Sequence, residues 1–543
     1  MSVNGRAYTS TFNVATRTMT RRTPAGRQTT SVVDDQFRVL QAQVPGLTAV
    51  DFGYDADGLL TAAGSLTLAR DPSNGLLTGT SLSSSGTTQS YNSFGEVSHF
   101  TANQGASAVL DIVYQRDDLG RIIQKTETIG GLTDTYAYGY DGAGRLTLVG
   151  RNGVTTASYA YDANGNRLSR TTPGGTETGT YDAQDRLLTY GTKTYTYTAN
   201  GELLTKTDTT TSQTTQYTYD ALGNLNRAVL PDGRQIDYLV DGRNRRVAKK
   251  VNGAFTQKFL YGDQLRIAVE LSASNAVVSR FVYATRVNVP DYVVKGSSTY
   301  RIVTDHLGSP RLVINVSTGA LAQRMDYDEF GRVLLDTNPG FQPFGFAGGL
   351  YDPDTGLVRF GARDYDAEVG RWTRKDPILF NGGQASLYTY VSSDPINDTD
   401  TTGYILETAW DLFNVGLDLR SLSRNLKCGQ YGDAVLDALG LVLDSGAVIL
   451  PFVPAGVGMI LKVERTLPKA ARTTREVSEV FRRLERFHGI DPVTASERLH
   501  DIKRGSGLRP DENVMFDLTG GVFNPETREL LGTLTEGGAR KRR

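Results

Sequence analysis

A single cysteine, Cys428, stands in 543 residues. An internal disulfide is excluded, and so is a zinc site built on several cysteines. An excess of one charge is missing too: 58 Lys and Arg face 59 Asp and Glu. So balanced a chain gives no whole-protein case for binding nucleic acid or a membrane surface. The first thirty residues are polar and Arg-rich, without the apolar run of a cleavable signal peptide. Within the apolar region Ala434–Leu461, the longest uncharged stretch is the 17 residues from Ser445, interrupted by Pro451 and Pro454. A buried hairpin suits it better than a stable membrane span. If the protein leaves the cell, other machinery must carry it.

What is abundant is glycine (59) and tyrosine (27, against 20 phenylalanines). Many turns and half-exposed β-structure follow from that mixture. A turn signature recurs in Tyr54-Asp55-Ala-Asp-Gly58, Tyr140-Asp141-Gly-Ala-Gly144-Arg, Tyr161-Asp162-Ala-Asn-Gly165-Asn, Tyr219-Asp220-Ala-Leu-Gly223-Asn and Tyr327-Asp328-Glu-Phe-Gly331-Arg, with a glycine-free copy at Tyr181-Asp182-Ala-Gln-Asp-Arg. With degenerate copies at Tyr197, Val240, Tyr261, Tyr283 and Thr304 counted, the spacings from Tyr140 are 21, 20, 16, 22, 21, 21, 22, 21 and 23 residues. A period near 21 accommodates two strands and two turns. The aspartate bonds its own turn backbone, and glycine three residues on tolerates positive φ. Tyrosines at i and i+2, as in Tyr136, Tyr138 and Tyr140, share one strand face and read as a packing ladder. Stacked copies pair edge to edge into one long sheet.

Near residue 404 the pattern stops. The last stretch before it carries Arg363, Asp376 and Asp400. Two carboxylates held close cannot both ionise freely, so the pair retains a proton. Its ionised member then takes a proton from water, while the protonated one polarises a scissile carbonyl. An arginine beside them holds the mixed state or binds the developing oxyanion. From the residues alone, turn formation accounts for these acids equally well, and Asp364, Asp366, Asp394 and Asp398 are rivals.

The repeats resemble the YD-repeat, or RHS-repeat, family over most of residues 1–404. Asp305-His306-Leu-Gly308-Ser-Pro310-Arg311 is similar to the segment that opens the RHS-associated core, with His306 read as a structural hydrogen-bonder. The run Asp352-Pro-Asp354-Thr-Gly356-Leu, then Arg363-Asp364-Tyr365-Asp366, Gly370-Arg371-Trp372, Asp376-Pro377 and Asp394-Pro395 continues that likeness in order and spacing. The resemblance implies a mainly β fold: hairpins spiralling into part of a hollow shell (residues 1–344), closed by the RHS-associated core (345–404). It also implies an aspartyl autoprotease using Arg363, Asp376 and Asp400, with cleavage between Tyr404 and Ile405. The closing motif Asp400-Thr401-Thr402-Gly403-Tyr404 departs from the family's Asp-Pro-x-Gly-Leu at Thr401 and Tyr404.

After the expected cut, leucines at 412, 419, 422 and 426 with Val415 recur at helical spacing, which predicts a small helical, apolar region over 405–488. Residues 489–543 read as a small α+β domain, with a helix to about Lys503 and strands at 513–518, 521–523 and 530–534. By position in the family this is a polymorphic-toxin region. Its polar candidates are His500, Lys503 and Asp517, suited to acid/base chemistry on nucleic acid, against the plainer reading of a solvated face. No metal or cofactor is expected. The implied partners are a cognate immunity protein, secretion machinery or an N-terminal shell partner, and nucleic acid as the toxin's target. The leading function that the resemblance implies is an RHS effector whose β-shell encloses a toxin released after Tyr404, secreted or delivered into target cells without a cleavable signal peptide, with the cell surface as the alternative location. The alternatives are a structural or adhesive cell-surface YD-repeat protein binding carbohydrate, and a displaced C-terminal fragment.

Overall fold

The computed structural model describes residues 2–404 apart from 4–5, 8, 24–25 and 383, and beyond them only Leu499, residues 502–504 and four short strands. The chain divides into two compact units, Met1–Ala409 and Trp410–Arg543.

In the first unit, strands from Thr9–Asn13 to Val333–Asp336 follow one another as a single antiparallel meander, each paired with its neighbours in sequence. The Tyr-Asp turns make it repeat. At Asp141 the backbone N–H donates to Arg145 O at 3.0 Å, and the Asp141 carbonyl oxygen accepts the N–H of Gly144, which sits at φ +86°. The Asp141 Oδ1 accepts the N–H groups of Ala143 and Arg145 at 2.9 and 3.0 Å, and Arg145 Nε donates to Oδ2 at 2.7 Å. Two residues on one strand thus oppose one on the other, the bulge that increases twist. Arg145 then lies 5.1 Å from the Tyr161 ring centroid, and Tyr161 Oη donates to Leu146 O at 2.8 Å. Each turn is thereby tied to the next hairpin. The same ties join Asp117, Arg121 and Tyr140, and again Asp241, Arg245 and Tyr261.

The twisted meander returns on itself. Thr29 bonds Tyr261, 232 residues on; Ser84 bonds Val316, also 232 residues on; Glu127 pairs with Arg311 at a separation of 184. Successive turns of the coil therefore share apolar clusters. One holds Leu110, Ile112, Ile122 and Leu146 against Leu312, Ile314 and Phe330.

Residues 345–404 form a closing segment. Its four-stranded sheet runs Leu350–Tyr351, Leu357–Phe360, Arg363–Asp366 and Arg371–Trp372. Phe346, Phe360, Tyr365, Trp372 and Tyr390 make its core, with the Tyr365 and Tyr390 ring centroids 4.5 Å apart. Leu357 and Val369 pack with Leu187, Leu203 and Leu225 of the meander, so apolar contact fixes the segment to this antiparallel ribbon.

In the second unit, the strands Met515–Phe516, Gly521–Phe523, Leu530–Thr533 and Gly538–Ala539 pair antiparallel in sequence order, and residues 502–504 are helical. The fourth of these strands has no counterpart in the sequence expectation. The helical region expected over 405–488 lies outside the described residues.

Candidate functional site

Three tight backbone features bring the site together. Gly361 turns at φ +39° so closely that a Cβ there would lie 2.1 Å from Thr402 O, and the neighbouring Ala362 N–H donates to that same oxygen at 2.9 Å. This places Arg363 at the start of its strand beside the 400–404 turn. Asp376 is held by its N–H to Leu387 O at 3.0 Å, while its Oδ1 accepts the Ile378 N–H at 2.9 Å. Asp400 closes the chain back on itself: its Oδ1 accepts the N–H of Gly403 at 2.7 Å, the N–H of Tyr404 at 3.1 Å and the Thr402 hydroxyl at 3.2 Å. Gly403 adopts φ +72°, where a Cβ would meet Phe360 O at 2.3 Å.

One guanidinium joins the two carboxylates. Arg363 Nη1 lies 2.9 Å from Asp376 Oδ2, and Nη2 lies 2.8 Å from Asp400 Oδ2. Arg363 is 1% exposed and stacks on Trp372, 4.0 Å from the ring centroid. Burial raises the Asp376 carboxyl to about 6; Arg363 and the Ile378 N–H oppose the rise and Asp400 adds to it. Burial raises Asp400 as well, against Arg363 and the N–H groups of Gly403 and Tyr404. Burial of both carboxylates favours the state that keeps one proton, against Arg363 and, at Asp376, the weaker pull of Arg374. Asp400 accepts from four donors and Asp376 from two, so Asp376 is the member that carries it.

The rival acids are engaged elsewhere. Asp364 pairs with Arg246 and Arg359, both at 2.7 Å, and Asp366 with Lys206 at 2.8 Å. Asp394 bonds Asn397, and its carboxyl is raised to about 6, chiefly by burial. Burial, then the Asp394 charge, raise Asp398 to about 7. Neither acid is joined to Arg363. His306 is a buried structural group: one ring nitrogen faces Ile396 O at 2.7 Å and the other the Tyr114 hydroxyl at 3.2 Å, with burial lowering it to about 4. Tyr404 is buried against Ala362 and Ile378. Ile405, His500 and Asp517 lie outside the described residues; Lys503 is half-buried on the 502–504 helical turn.

Sequence reasoning missed how the closing segment grips the ribbon. Two arginines do it in the same way. Arg371 donates to Asn166 Oδ1 at 2.9 Å and to Asp185 O at 2.6 Å; Arg359 donates to Asn224 Oδ1 at 2.8 Å and to Asn244 O at 3.0 Å. In both grips an asparagine replaces the usual arginine of one turn, and the next turn carries a non-glycine residue at positive φ, +60° for Asp185 and +61° for Asn244. The signal was present as exceptions to the repeat. A third arginine, Arg374, is buried and, among the described residues, pairs with no carboxylate, donating instead to Leu222 O and Ala362 O. Burial, then the nearby charges of Arg359 and Arg363, lower it to about 10.

A profile of the Teneurin YD-shell matches residues 31–396. Teneurin-4 of Homo sapiens is 28% identical over 352 residues, 60% of this chain and 12% of that protein. Teneurin-3 of Danio rerio is 30% identical over 332 residues, 56% of this chain and 12% of that one. The chain therefore spans a small part of the teneurins it matches. Among solved structures, TcdB2-TccC3-TEV superposes with a TM-score of 0.59 at 15% identity, covering 72% of this chain and 23% of its own, a likeness of fold. With well over half its length matched and the Tyr-Asp ribbon coiled as described, the chain belongs to the Teneurin YD-shell family of RHS/YD-repeat shell proteins.

Proposed function

We propose that this chain is an RHS-type effector whose β-shell carries a C-terminal toxin region, freed by aspartyl self-cleavage between Tyr404 and Ile405. The supporting observation is the bridge made by Arg363. It holds Asp376 and Asp400 on one guanidinium, and Asp400 also holds the Tyr404 amide, one residue before the bond to be cut. Positioning of this kind replaces an encounter by a preset geometry.

In the reaction the pair acts as a unit with one proton. Its ionised side takes a proton from water as the water oxygen attacks the Tyr404 carbonyl carbon. Its protonated side donates to the carbonyl oxygen. The tetrahedral intermediate collapses with loss of the C–N bond, and the Ile405 nitrogen leaves as an amine after taking a proton. Arg363 keeps the remaining carboxylate charge tolerable in a buried site.

The freed fragment is 405–543. A cognate immunity protein is the partner it requires in the producing cell, and secretion machinery or an N-terminal shell partner is the delivery route. Nucleic acid is the proposed target, with His500, Lys503 and Asp517 as the residues to test. Among the described residues no helix is long and apolar enough to cross a membrane.

Expression of the wild-type chain beside Asp376→Asn and Asp400→Asn, followed by intact mass, tests this reading. Two fragments from the wild type and an uncleaved chain from both variants are expected. A wild-type chain intact at 59.0 kDa would contradict self-cleavage and favour the structural, surface-exposed alternative.

A further inference from the structure

We propose that Asn244 reads the side chain of Tyr404, so that the Asp241–Arg245 turn of the ribbon is a specificity subsite for the residue on the acyl side of the cut. This inference rests on the self-cleavage reading above. Asn244 Nδ2 donates to the Tyr404 hydroxyl oxygen at 2.9 Å, across 160 residues of sequence. The Tyr404 ring is 8% exposed and packed by Ala362 and Ile378, so the hydroxyl is the polar end of a buried side chain.

The amide is held in its orientation by groups that belong to the arginine grip. Asn244 Oδ1 accepts from Asn224 Nδ2 at 3.1 Å, which turns Nδ2 toward Tyr404. Asn224 is fully buried and is itself fixed, bonding Asp220 and receiving Arg359 on its own oxygen. The Asn244 carbonyl receives Arg359 at 3.0 Å. Asn244 also stands where other turns carry glycine, at φ +61°.

The second grip supplies an internal comparison. There the same place is held by Asp185, whose Oδ1 accepts from Asn164 and Asn166. An ionised aspartate has no N–H to offer a hydroxyl oxygen. The two grips dock the closing segment alike, and the one next to the bond to be cut has the donor. A subsite built on a buried hydrogen bond rejects a residue lacking the hydroxyl, because its amide is left unpaired.

The test follows self-cleavage of the full chain by intact mass over time. Asn244→Gly keeps the turn conformation found in the other repeats and removes only the amide; Asn244→Asp keeps the shape and removes the donor. Each is expected to slow cleavage about tenfold, Tyr404→Phe to slow it by a similar factor, and Asn244→Gly with Tyr404→Phe to be no slower than either alone. In the Tyr404→Leu chain, Asn244→Gly should change nothing. Thermal midpoints are compared in the uncleaved Asp376→Asn background, where Asn244→Gly should leave the fold intact. Cleavage of Asn244→Gly at the parent rate overturns this inference alone, as does an equal slowing in the Tyr404→Leu chain, which marks a general structural role. A parent chain that never cleaves overturns the self-cleavage reading, and this inference with it.

Discussion

The ribbon and the closing segment use the same acid for opposite ends. In the ribbon, burial pushes the carboxyls of Asp34, Asp117, Asp141 and Asp182 up, but the arginine four residues on and the turn's own N–H groups outweigh it, and all four sit below the ordinary range. In the closing segment burial wins, and Asp376 rises to about 6. Those four turn aspartates each have an arginine four residues on and stay partly exposed, whereas burial raises another turn aspartate, Asp328, to about 6. Asp376 and Asp400 share the Arg363 guanidinium in a buried site. What separates the two groups is burial and the sharing of one guanidinium by two carboxylates, since the residue type is the same.

The strongest way to break this contrast is Arg363→Met. It leaves two buried carboxylates without their cation, so cleavage should vanish and the closing segment should lose about 3–5 kcal/mol, read by intact mass and thermal unfolding. The corresponding ribbon change, Arg145→Met, should leave cleavage untouched and cost about 1 kcal/mol or less, because its pair with Asp141 is half in solvent.

Next in size is the pH response. Asp376 is raised in the folded chain, so its contribution to stability is present below the ordinary carboxyl pKa and is lost as the pH rises through about 6. Asp141 is lowered, so its contribution is present above that ordinary value and is lost as the pH falls through its folded pKa. Self-cleavage should therefore slow as the pH is raised above about 6, while the ribbon's strand signal in circular dichroism holds and weakens only in acid. A cleavage rate flat from pH 5 to 8, on the order of the range over which a shifted carboxyl titrates, would remove the shared-proton account.

Smaller effects separate the two kinds of glycine. Gly144 has open space around its missing Cβ, so Gly144→Ala should cost about 1–2 kcal/mol for its positive φ and no more. Gly403→Ala meets Phe360 O in addition, and should displace the Tyr404 backbone enough to stop cleavage. Smallest of all, Tyr161→Phe removes one hydrogen bond to Leu146 O and should cost about 1 kcal/mol in thermal unfolding, with cleavage unchanged.

The ribbon was legible because its information is local. The Tyr-Asp-x-x-Gly turn closes within five residues, and the repeat near 21 follows from it. The coil was not, since contacts between Glu127 and Arg311 or Thr29 and Tyr261 depend on twist accumulated over many hairpins, which no short pattern encodes. The site lies between these cases. Arg363 and Asp400 meet across 37 residues of irregular chain, so spacing alone left Asp364, Asp366, Asp394 and Asp398 as equal rivals. Resemblance to RHS proteins singled out Arg363, Asp376 and Asp400, and the structure joins those three. The asparagines at 166, 224 and 244 were visible only as breaks in the repeat, and their meaning depends on arginines from the closing segment that occupy the space a repeat arginine would fill.

The measurement closest to the central claim is the N-terminal sequence of the small fragment released from the wild-type chain held below pH 6. A fragment beginning at Ile405, absent from the Asp376→Asn chain, is the predicted result. A fragment beginning elsewhere, or the same fragment from Asp376→Asn, would contradict it.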